Sequence, residues 1–462
     1  MRTQRSNSFA ATTHFFTTLL FQTTPVRFEG ATINFSFLKG DTKVVLYVLL
    51  SSLAARIFLF PVQGCAGDLA AFASWFKEAA EHGPLVFYQI VYCDYPPLNV
   101  YIFWAFGSLG SWLSLFGSSA LVYVLKLPST LFDTATAGLI FVFLRKRLSF
   151  NSSLLTTSFY AFNPATIFNG SIWGQFDAIY TFFLVASLIL IIDSKPTLSA
   201  MAFTAAVLTK PQSIALAPLI IFLLIQKRSW KTLAASVVTS TALVFMVSAP
   251  VSLNNPANFL VNIYLKGYTS YSVTSANAFN LWALVGLWKP DAQTFLSVDL
   301  FKIGWIMFGA LTAFSLFCLY KSSYRAEKSG YTFEISVLFT AFVLLFGFFM
   351  LPTRIHERYL FPVFSVLTMM LPFAKEARPL YGILTFTYLA NLAYVLPFLN
   401  AGNSQIPNGD PFVYAITAIN LAAFAYTLTV IIRKPKTAGP PISSQVLENA
   451  KQPFAGECGP RC

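Results

Sequence analysis

The sequence predicts an all-α fold, a polytopic transmembrane helical protein with about 12 spans. Of its 462 residues, 56% are hydrophobic and only 11% are charged, a balance that no soluble domain needs. Apolar runs of about 20 residues recur along the chain, which is the length of a membrane-spanning helix. Basic residues stand in short clusters between these runs. The net charge of +13 therefore indicates membrane topology, and no nucleic-acid partner is predicted.

The predicted membrane domain covers residues 43–433. Its apolar runs, in chain order, are 43–62, 97–117, 120–144, 150–172, 176–193, 198–226, 231–250, 300–321, 333–351, 358–375, 379–399 and 411–433. Residues 1–42 are expected to form a cytoplasmic tail, although their Thr/Phe/Arg-rich composition also loosely fits an organellar targeting peptide. Residues 434–462 are polar and contain Pro and Lys, so a disordered cytoplasmic tail is expected.

Basic clusters decide the predicted topology, because Lys and Arg are enriched in cytoplasmic loops. The clusters are Arg145 to Arg147, Lys227 to Lys231, Lys321 to Lys328, Lys375 to Arg378, and Arg433 to Lys436. All are cytoplasmic if the run 198–226 breaks at Lys210-Pro211 and the run 97–117 enters and leaves on the outer side. The alternative makes both runs single spans and places the first cluster outside. We favour the first arrangement, and both put the loops around Asp68 and His356 outside.

The first outer loop, Asp68 to Leu98, is the longest polar interruption in the first half of the chain. Carboxylates beside a membrane span are costly unless they face water or take part in chemistry. Asp68 begins a segment whose apolar residues recur at helical spacing, which predicts a short amphipathic helix on the membrane surface. Asp68 could cap that helix, and a capping carboxylate can also be a catalytic base. We interpret the next motif as the start of a helix, because Pro pre-organises the first helical turn. The motif is Asp94-Tyr95-Pro96-Pro97-Leu98.

Two further motifs interrupt the apolar runs. Trp173-Gly174-Gln175-Phe176-Asp177 follows a helix end near Asn163-Pro164. Its Trp can stack on a sugar and its polar side chains can bind hydroxyls, although an interfacial Trp and a capping Asp explain the motif equally well. Lys210, followed by Pro211-Gln212, lies deep in an apolar run, where an intramembrane Lys is a functional candidate. It is placed like a partner for a phosphate.

Thr353 to Tyr359 is the densest charged cluster beside a span outside the termini. On the outer side, Arg354 and Arg358 are not explained by the positive-inside rule, and together with His356 they suit a lipid-linked phosphate. The sequence has no HExxH motif and no compact His/Cys cluster, so no metal site is predicted. It has no Gly-rich phosphate loop either. No cofactor is therefore predicted, while a divalent metal is left open.

Taken in this order, the motifs resemble those of the GT-C superfamily of polyprenyl-phosphate-sugar-dependent membrane glycosyltransferases. The resemblance covers about residues 43–375. Two groups are similar: the eukaryotic dolichyl-phosphate-glucose glucosyltransferases of lipid-linked oligosaccharide assembly, and prokaryotic mannosyltransferases related to the second GPI mannosyltransferase. The motif Trp173 to Asp177 favours the prokaryotic group. The eukaryotic glucosyltransferases have Lys where Arg358 stands, so donor specificity is not carried across.

The resemblance implies an inverting transfer of a hexose, with mannose favoured and glucose open, from a polyprenyl-phosphate donor to an acceptor hydroxyl on the outer face. Asp68 looks like the catalytic base of a catalytic first outer loop. A general acid is not needed, because cations can stabilise the departing phosphate. The expected donor phosphate ligands are Arg354, His356, Arg358 and Lys210. The expected sugar- or acceptor-binding residues are Asp94, Tyr95, Trp173, Gln175, Asp177, Gln212 and Glu357.

The acceptor is expected to be a lipid-linked glycan, a lipid or a protein. The membrane would be the plasma membrane in a prokaryote and the endoplasmic reticulum in a eukaryote. The alternative function is a transporter or flippase of a lipid-linked or anionic substrate, which predicts inverted repeats that the sequence does not show. Cys65 and Cys93 flank the first outer loop, and the sequence leaves open whether they form a disulfide.

Overall fold

The computed structural model describes residues 40–252, 255–325, 330–403 and 405–433. Contacts within the chain divide it between Tyr47 and Val48, and the fold described below is that of the second unit. The tail predicted at 434–462 lies outside the described residues, as does the tail predicted at 1–42 up to residue 39. From residue 40 the chain is helical.

The described residues are mostly α-helical, as the composition predicted. The helices are α1 Gly40–Phe58, α2 Ala66–His82, α3 Phe87–Ile90, α4 Leu98–Trp112, α5 Leu121–Arg145, α6 Phe150–Ala161, α7 Pro164–Ile167, α8 Asp177–Ile192, α9 Pro196–Val207, α10 Ala217–Gln226, α11 Trp230–Ser248, α12 Pro256–Thr269, α13 Leu300–Arg325, α14 Gly330–Met350, α15 Val363–Met370, α16 Ala377–Asn400 and α17 Pro411–Arg433. Shorter pieces are a π-helical turn at Phe168–Trp173 and 3₁₀ turns at Pro211–Leu216, Ala249–Val251 and Leu281–Leu284.

Six helices among the described residues are long and apolar enough to cross a membrane. They are Leu121–Arg145, Trp230–Val251, Leu300–Ser322, Phe333–Met350, Ala377–Asn400 and Pro411–Ile432. Other apolar segments, such as α8 and α9, are helical but shorter. The membrane character predicted from composition is therefore supported, while the number of about 12 spans stays a prediction.

The apolar run 198–226 breaks where the sequence predicted a break. Helix α9 ends at Val207, and Lys210 adopts an extended conformation with φ −145° and ψ 135°. Pro211 then starts a 3₁₀ turn that continues into α10. Because Pro removes a donor and disfavours helix before it, the Leu208 and Thr209 carbonyls accept instead from the Leu98 N–H and the Asn99 amide.

The two ends of the helices differ in their charged contacts. At one end, called the inner end, Lys146 and Arg147 pair with Asp193, and Arg147 also pairs with Glu334 at 2.7 Å. Lys227 reaches Ser194 at the same end. At the other end, called the outer end, lie the Lys210 break and the loop that contains His356. Two of the five predicted cytoplasmic clusters, those at Arg145 and Lys227, thus lie together at the inner end.

Helix α4 has both of its ends near the outer end. The backbone N–H of Leu98 donates to the Leu208 carbonyl at 3.1 Å, beside the Lys210 break. Near the other terminus, Gly110 packs against Val124 in the first turn of α5. Two residues on, the Lys126 ammonium donates to the Phe60 carbonyl that follows α1. These contacts favour the arrangement in which the run 97–117 enters and leaves on one side.

Helix α2 is the amphipathic helix predicted after the first span. Its buried residues are Phe72, Trp75, Phe76 and Ala79, which recur at helical spacing. The capping position belongs to Cys65, and Asp68 lies within the first turn. The interpretation of Asp68 as the cap is therefore wrong, because the helix begins two residues earlier. Its carboxylate is left for other partners.

Two small sheets depart from the all-α prediction. A parallel pair joins Ser275–Ala276 (β1) to Ile355–His356 (β4), and an antiparallel pair joins Thr294–Phe295 (β2) to Val298–Asp299 (β3). Strands of two residues give no alternating pattern that a sequence could reveal. The parallel pair matters for the site, because it fixes the loop that holds His356 against the long outer loop before α13.

A buried ion pair ties the first helices together. Arg56 donates to Asp133 Oδ2 at 2.7 and 3.0 Å, and Tyr160 donates to Asp133 Oδ1 at 2.6 Å. Arg56 also donates to Ser52 and to the Ala161 carbonyl. Both charges are almost fully buried, so removing one partner would leave the other unpaired inside the bundle.

The Cys65–Cys93 disulfide, which the sequence left open, is not formed. Both thiols are free and buried. Cys65 belongs to the main apolar core, whereas Cys93 packs in a separate cluster formed by α2, α4 and the start of α8. Packing in two different clusters holds the thiols apart.

Candidate active site

A cavity of about 450 Å³ lies at the outer end of the helices. Its walls come from seven separate parts of the chain: the start of α2, the loop before α4, the Lys210 break, the end of α12 with the residues after it, Trp305 of α13, Phe348 of α14, and the loop 352–359. Asp68, Asp94, Lys210, His356 and Arg358 all line it. The structure thus brings together residues that the sequence analysis selected as candidates from four distant motifs.

The Asp68 carboxylate is held by two neutral donors. The indole N–H of Trp173 donates to Oδ2 at 2.8 Å, and the side-chain amide of Gln175 donates to the same oxygen. Oδ1 accepts neither bond. Asp68 lines the cavity, whereas Trp173 and Gln175 are fully buried and are not among the lining residues. Their contact with a sugar stays a prediction, and in this structure both side chains are buried and donate to Asp68.

Glycine backbones let these two segments approach. Gly174 follows the π-helical turn and adopts φ +94°, a conformation that residues with a Cβ rarely adopt. A Cβ on Gly64 would lie 2.5 Å from the Trp173 carbonyl oxygen. The N–H of Cys65 donates to that same carbonyl at 3.2 Å. The start of α2 is therefore in direct backbone contact with the turn that presents Trp173 and Gln175.

Aromatic side chains form the wall beside Asp94. Tyr95 packs against Phe72 and Trp75, with ring centroids 5.9 and 5.2 Å away. Trp75 donates to the Tyr92 carbonyl at 3.1 Å, which fixes the loop that carries Asp94. Burial raises the pKa of Asp94, while the nearby Arg358 and Lys210 charges act in the opposite direction. Asp94 and Tyr95 both line the cavity, and their contact with a sugar or acceptor stays a prediction.

Lys210 does not present a free cation. Its ammonium donates to Asp177 Oδ1 at 2.7 Å, and both side chains are buried. Asp177 also accepts from the Asn169 amide at 3.2 Å and is not among the residues that line the cavity. Asp177 is the counter-ion of Lys210, and its contact with the sugar or acceptor stays a prediction. Gln212, by contrast, lines the cavity, and its Oε1 is buried without a hydrogen-bond partner in the described part of the chain.

Arg354 is also already paired. Its guanidinium donates to both oxygens of Asp291, at 2.7 and 3.3 Å, and stacks between the rings of Tyr268 and Phe301. The Arg354 backbone adopts φ +64°, which costs about 1–3 kcal/mol for a residue with a side chain. Its N–H donates to the Val273 carbonyl. Arg354 lines the cavity but serves mainly to fasten loop 352–359 to the outer loop.

Arg358 is the most available cation of the cavity. Its Nη1 pairs with Glu357 Oε1 at 3.0 Å, while its Nε has no hydrogen-bond partner among the described residues. Burial raises the pKa of Glu357, and the Arg358 charge partly offsets this effect. Glu357 is buried and is not among the residues that line the cavity, and its contact with the sugar or acceptor stays a prediction. It supports Arg358 from behind.

His356 is a neutral side chain in this environment. Burial and then the charges of Arg358 and Lys210 lower its pKa well below the usual range. Its Nδ1 lies 4.0 Å from Glu357, but a neutral imidazole does not form an ion pair there. The ring packs edge-on against Tyr271, with centroids 4.6 Å apart. His356 can therefore donate or accept a hydrogen bond in the cavity without adding charge.

The cavity lining and the residues paired with it from behind hold five carboxylates and three cations. Lys210, Arg354 and Arg358 each have one carboxylate partner, in Asp177, Asp291 and Glu357. The two carboxylates that remain, Asp68 and Asp94, line the cavity and form no ion pair within the described residues. They are the groups that could hold a divalent metal there. A second acidic group, Glu78, Glu81 and His82, lies on α2, and two of its three side chains are exposed.

Sequence analysis missed Asp291, Tyr268 and Tyr271. Asp291 is the first acidic residue after Asp193, and it lies in the long outer loop, so its isolation was a usable signal. Tyr268 and Tyr271 give no comparable signal in a chain with 20 Tyr. Only the fold shows that they line the cavity.

Comparisons with known proteins give little guidance. No protein-family model matches the chain, and no curated protein matches it. Two crystal structures of the oligosaccharyltransferase of Archaeoglobus fulgidus are similar. One is tethered to an acceptor peptide, with a TM-score of 0.43 and 15% identity over 86% of this chain and 55% of that one. The apo form has a TM-score of 0.36 and 12% identity over 86% and 56%. The chain spans about half of that protein's length, and a likeness this distant assigns neither fold nor activity.

Proposed function

We propose that the protein is an inverting membrane glycosyltransferase of the GT-C type. It moves a hexose, mannose by preference and glucose as the second candidate, from a polyprenyl-phosphate donor to an acceptor hydroxyl. The transfer takes place at the outer end of the helices. The acceptor is a lipid-linked glycan, a lipid or a protein. The membrane is the plasma membrane in a prokaryote and the endoplasmic reticulum in a eukaryote.

One observation carries this proposal. Asp68 and Arg358 come from distant loops and line the same cavity of about 450 Å³. Sugar transfer from a phosphate needs a base on one side of the anomeric carbon and positive charge on the other. The order of the sequence motifs adds support, because it resembles that of the polyprenyl-phosphate-dependent enzymes.

In the proposed reaction the acceptor oxygen attacks the anomeric carbon while Asp68 accepts the hydroxyl proton. The new carbon–oxygen bond forms as the bond to the donor phosphate breaks, and the electron pair leaves with the phosphate. Arg358 stabilises the charge that develops on that phosphate, and neutral His356 donates a hydrogen bond to it. A single displacement inverts the configuration of the sugar. No second carboxylate is needed to protonate the leaving group, in contrast to glycosidases.

The remaining candidates have different parts in this proposal. Asp94, Tyr95 and Gln212 bind the acceptor or the sugar, since they line the cavity. Lys210 and Arg354 hold the cavity's shape and add only screened charge, because each is paired with a carboxylate. The surplus of two carboxylates makes a divalent cation a factor to test.

The test uses purified protein in nanodiscs with radiolabelled polyprenyl-phosphate-mannose or polyprenyl-phosphate-glucose and a lipid-linked glycan, a lipid glycoside or a peptide as acceptor. Parallel reactions contain EDTA, Mg²⁺ or Mn²⁺. The expected result is a new glycosidic product of inverted configuration and release of polyprenyl phosphate from one donor. Movement of the intact donor across proteoliposome membranes, with no bond cleavage, would instead support the transporter alternative and overturn the proposal.

A further inference from the structure

We propose that Trp173 and Gln175 are positioning residues for Asp68. They bind one of its carboxylate oxygens and turn the other toward the acceptor. This inference rests on the proposed function, in which Asp68 is the base. It assigns both residues a role in proton transfer in place of the sugar contact that their residue types predict.

Both donors converge on a single oxygen. Trp173 Nε1 lies 2.8 Å from Asp68 Oδ2, and Gln175 Nε2 donates to the same atom. The orientation of the Gln175 amide is set from its other side, because the Tyr95 hydroxyl donates to its Oε1 at 3.5 Å. Its N–H₂ group must therefore face Asp68. Neither donor uses Oδ1, and among the described residues the one other side chain in a hydrogen bond with this carboxylate is the Cys65 thiol, which is also neutral.

The backbone of the two donors is fixed independently of Asp68. The Ser129 hydroxyl donates to the Gln175 carbonyl at 2.6 Å, and Cys65 N–H donates to the Trp173 carbonyl at 3.2 Å. Both donor side chains are fully buried. Side chains with so little freedom lose little entropy when they bind the carboxylate, which suits a positioning role.

Neutral donors have a specific chemical consequence. They stabilise the ionised carboxylate by hydrogen bonding. Because they carry no positive charge, they form no ion pair with Asp68 that would weaken it as a base. A hydrogen bond to a charged group contributes about 1.5–3 kcal/mol. Losing one donor should therefore remove a contact that stabilises the ionised carboxylate and holds its orientation.

The experiment compares Trp173→Phe and Gln175→Met with wild type. Each variant removes an N–H donor. Phe leaves a smaller aromatic ring at position 173, and Met leaves an unbranched apolar side chain of similar length at position 175. The matched control is Trp282→Phe, because the buried Trp282 indole donates to the Leu351 carbonyl and not to Asp68. Gln175→Met provides the same test should Trp173→Phe fail to fold.

Two quantities are measured as a function of pH. The first is the acid limb of kcat/KM for glycosyl transfer, which should move up by about one pH unit in both variants and stay unchanged in Trp282→Phe. The second is carbodiimide labelling of Asp68, read by mass spectrometry, which reports the protonated carboxyl without any turnover. Its midpoint should move up by the same amount.

The outcomes separate the two proposals. Wild-type transfer with an unchanged acid limb and labelling midpoint in both variants would overturn the positioning role and leave the glycosyltransferase in place. Absence of transfer by the wild type with every donor would overturn the proposed function. In that case the labelling midpoint still decides whether Trp173 and Gln175 control the carboxylate.

Discussion

The two walls of the cavity stabilise their charges in different ways. On the Asp68 wall a carboxylate is bound by the neutral N–H groups of Trp173 and Gln175. On the wall formed by loop 352–359, Arg354 and Arg358 are each bound by a carboxylate, Asp291 and Glu357. The neutral donors hold the Asp68 carboxylate in place and leave its negative charge uncompensated. The carboxylates hold the two guanidinium groups in place and neutralise much of their positive charge.

This difference indicates where chemistry can occur. A carboxylate that has only neutral partners can still accept a proton from a ligand. A guanidinium in a bidentate pair has few donors left for a phosphate. Arg354 is such a case, whereas Arg358 has a single contact to Glu357 and a free Nε. Two arginines four residues apart therefore have separate roles, which the following experiments test.

Asp68→Asn should cause the largest effect. The substitution keeps the shape of the side chain and removes the base, so transfer should fall by about 10²–10⁴-fold while donor affinity stays within a factor of a few. Radiolabelled transfer and donor binding are measured on the same nanodisc sample. The control is Asp299→Asn, since Asp299 forms a surface ion pair with Lys302. A variant with more than a tenth of the wild-type rate would remove Asp68 from the role of base.

Arg354→Met should mainly reduce stability. Asp291 is buried, and losing its partner would leave an unpaired charge that costs about 3–5 kcal/mol. Thermal unfolding in detergent measures the loss. The double variant Arg354→Met/Asp291→Leu should recover most of it. A single variant as stable as the wild type would show that the pair does not fasten the loop.

Arg358→Ala should mainly reduce donor binding. It removes the cation with a free donor, so the Kd for the polyprenyl-phosphate donor should rise about 10- to 100-fold, corresponding to about 1.5–3 kcal/mol. Isothermal titration or filter binding provides the measurement. Arg378→Ala is the control, because that exposed Arg donates to the Leu371 carbonyl. Unchanged affinity would assign the phosphate to another part of the cavity.

The smallest effect is expected for the pH dependence of stability through His356. Burial lowers its pKa, so below about pH 6.5 the unfolded chain binds a proton that the folded protein does not. Stability is therefore complete above that pH and falls by about 1.4 kcal/mol for each unit below it, until the lowered pKa is reached. His356→Asn should flatten this slope in thermal unfolding scans. The control is His82→Asn, at an exposed histidine. If the free energy of unfolding depends on pH equally in both variants, groups other than His356 cause the dependence.

The sequence was sufficient for much of the helical fold. The 3.6-residue pattern in α2, the Pro97 start of α4 and the break before Pro211 each depend on neighbouring residues, and all three appear in the structure. The π-helical turn and the two-residue strands were not predictable. They result from contacts between distant segments, such as Cys65 with Trp173, and not from local preference.

The sequence allowed us to predict several of the residues that line the cavity, but not the direction of their side chains or their partners. Asp68, Lys210 and Arg358 were selected because ionisable groups are rare in apolar chains, and all three line one cavity. Which of them has a partner depends on pairs such as Lys210–Asp177 that only the fold brings together. The same limit applies to Trp173 and Gln175, whose chemistry suits a sugar and whose packing directs them to Asp68.

The Lys210–Asp177 pair also bears on how the protein is made. A lone Lys at the centre of a membrane helix opposes insertion by about 2.5–3.5 kcal/mol. Here Lys210 follows α9, and its counter-ion begins the neighbouring helix α8, so the two segments can pass into the bilayer as a hairpin whose charges neutralise each other. A chain that lacks Asp177 would meet its first difficulty during synthesis at the translocon, before any substrate is bound.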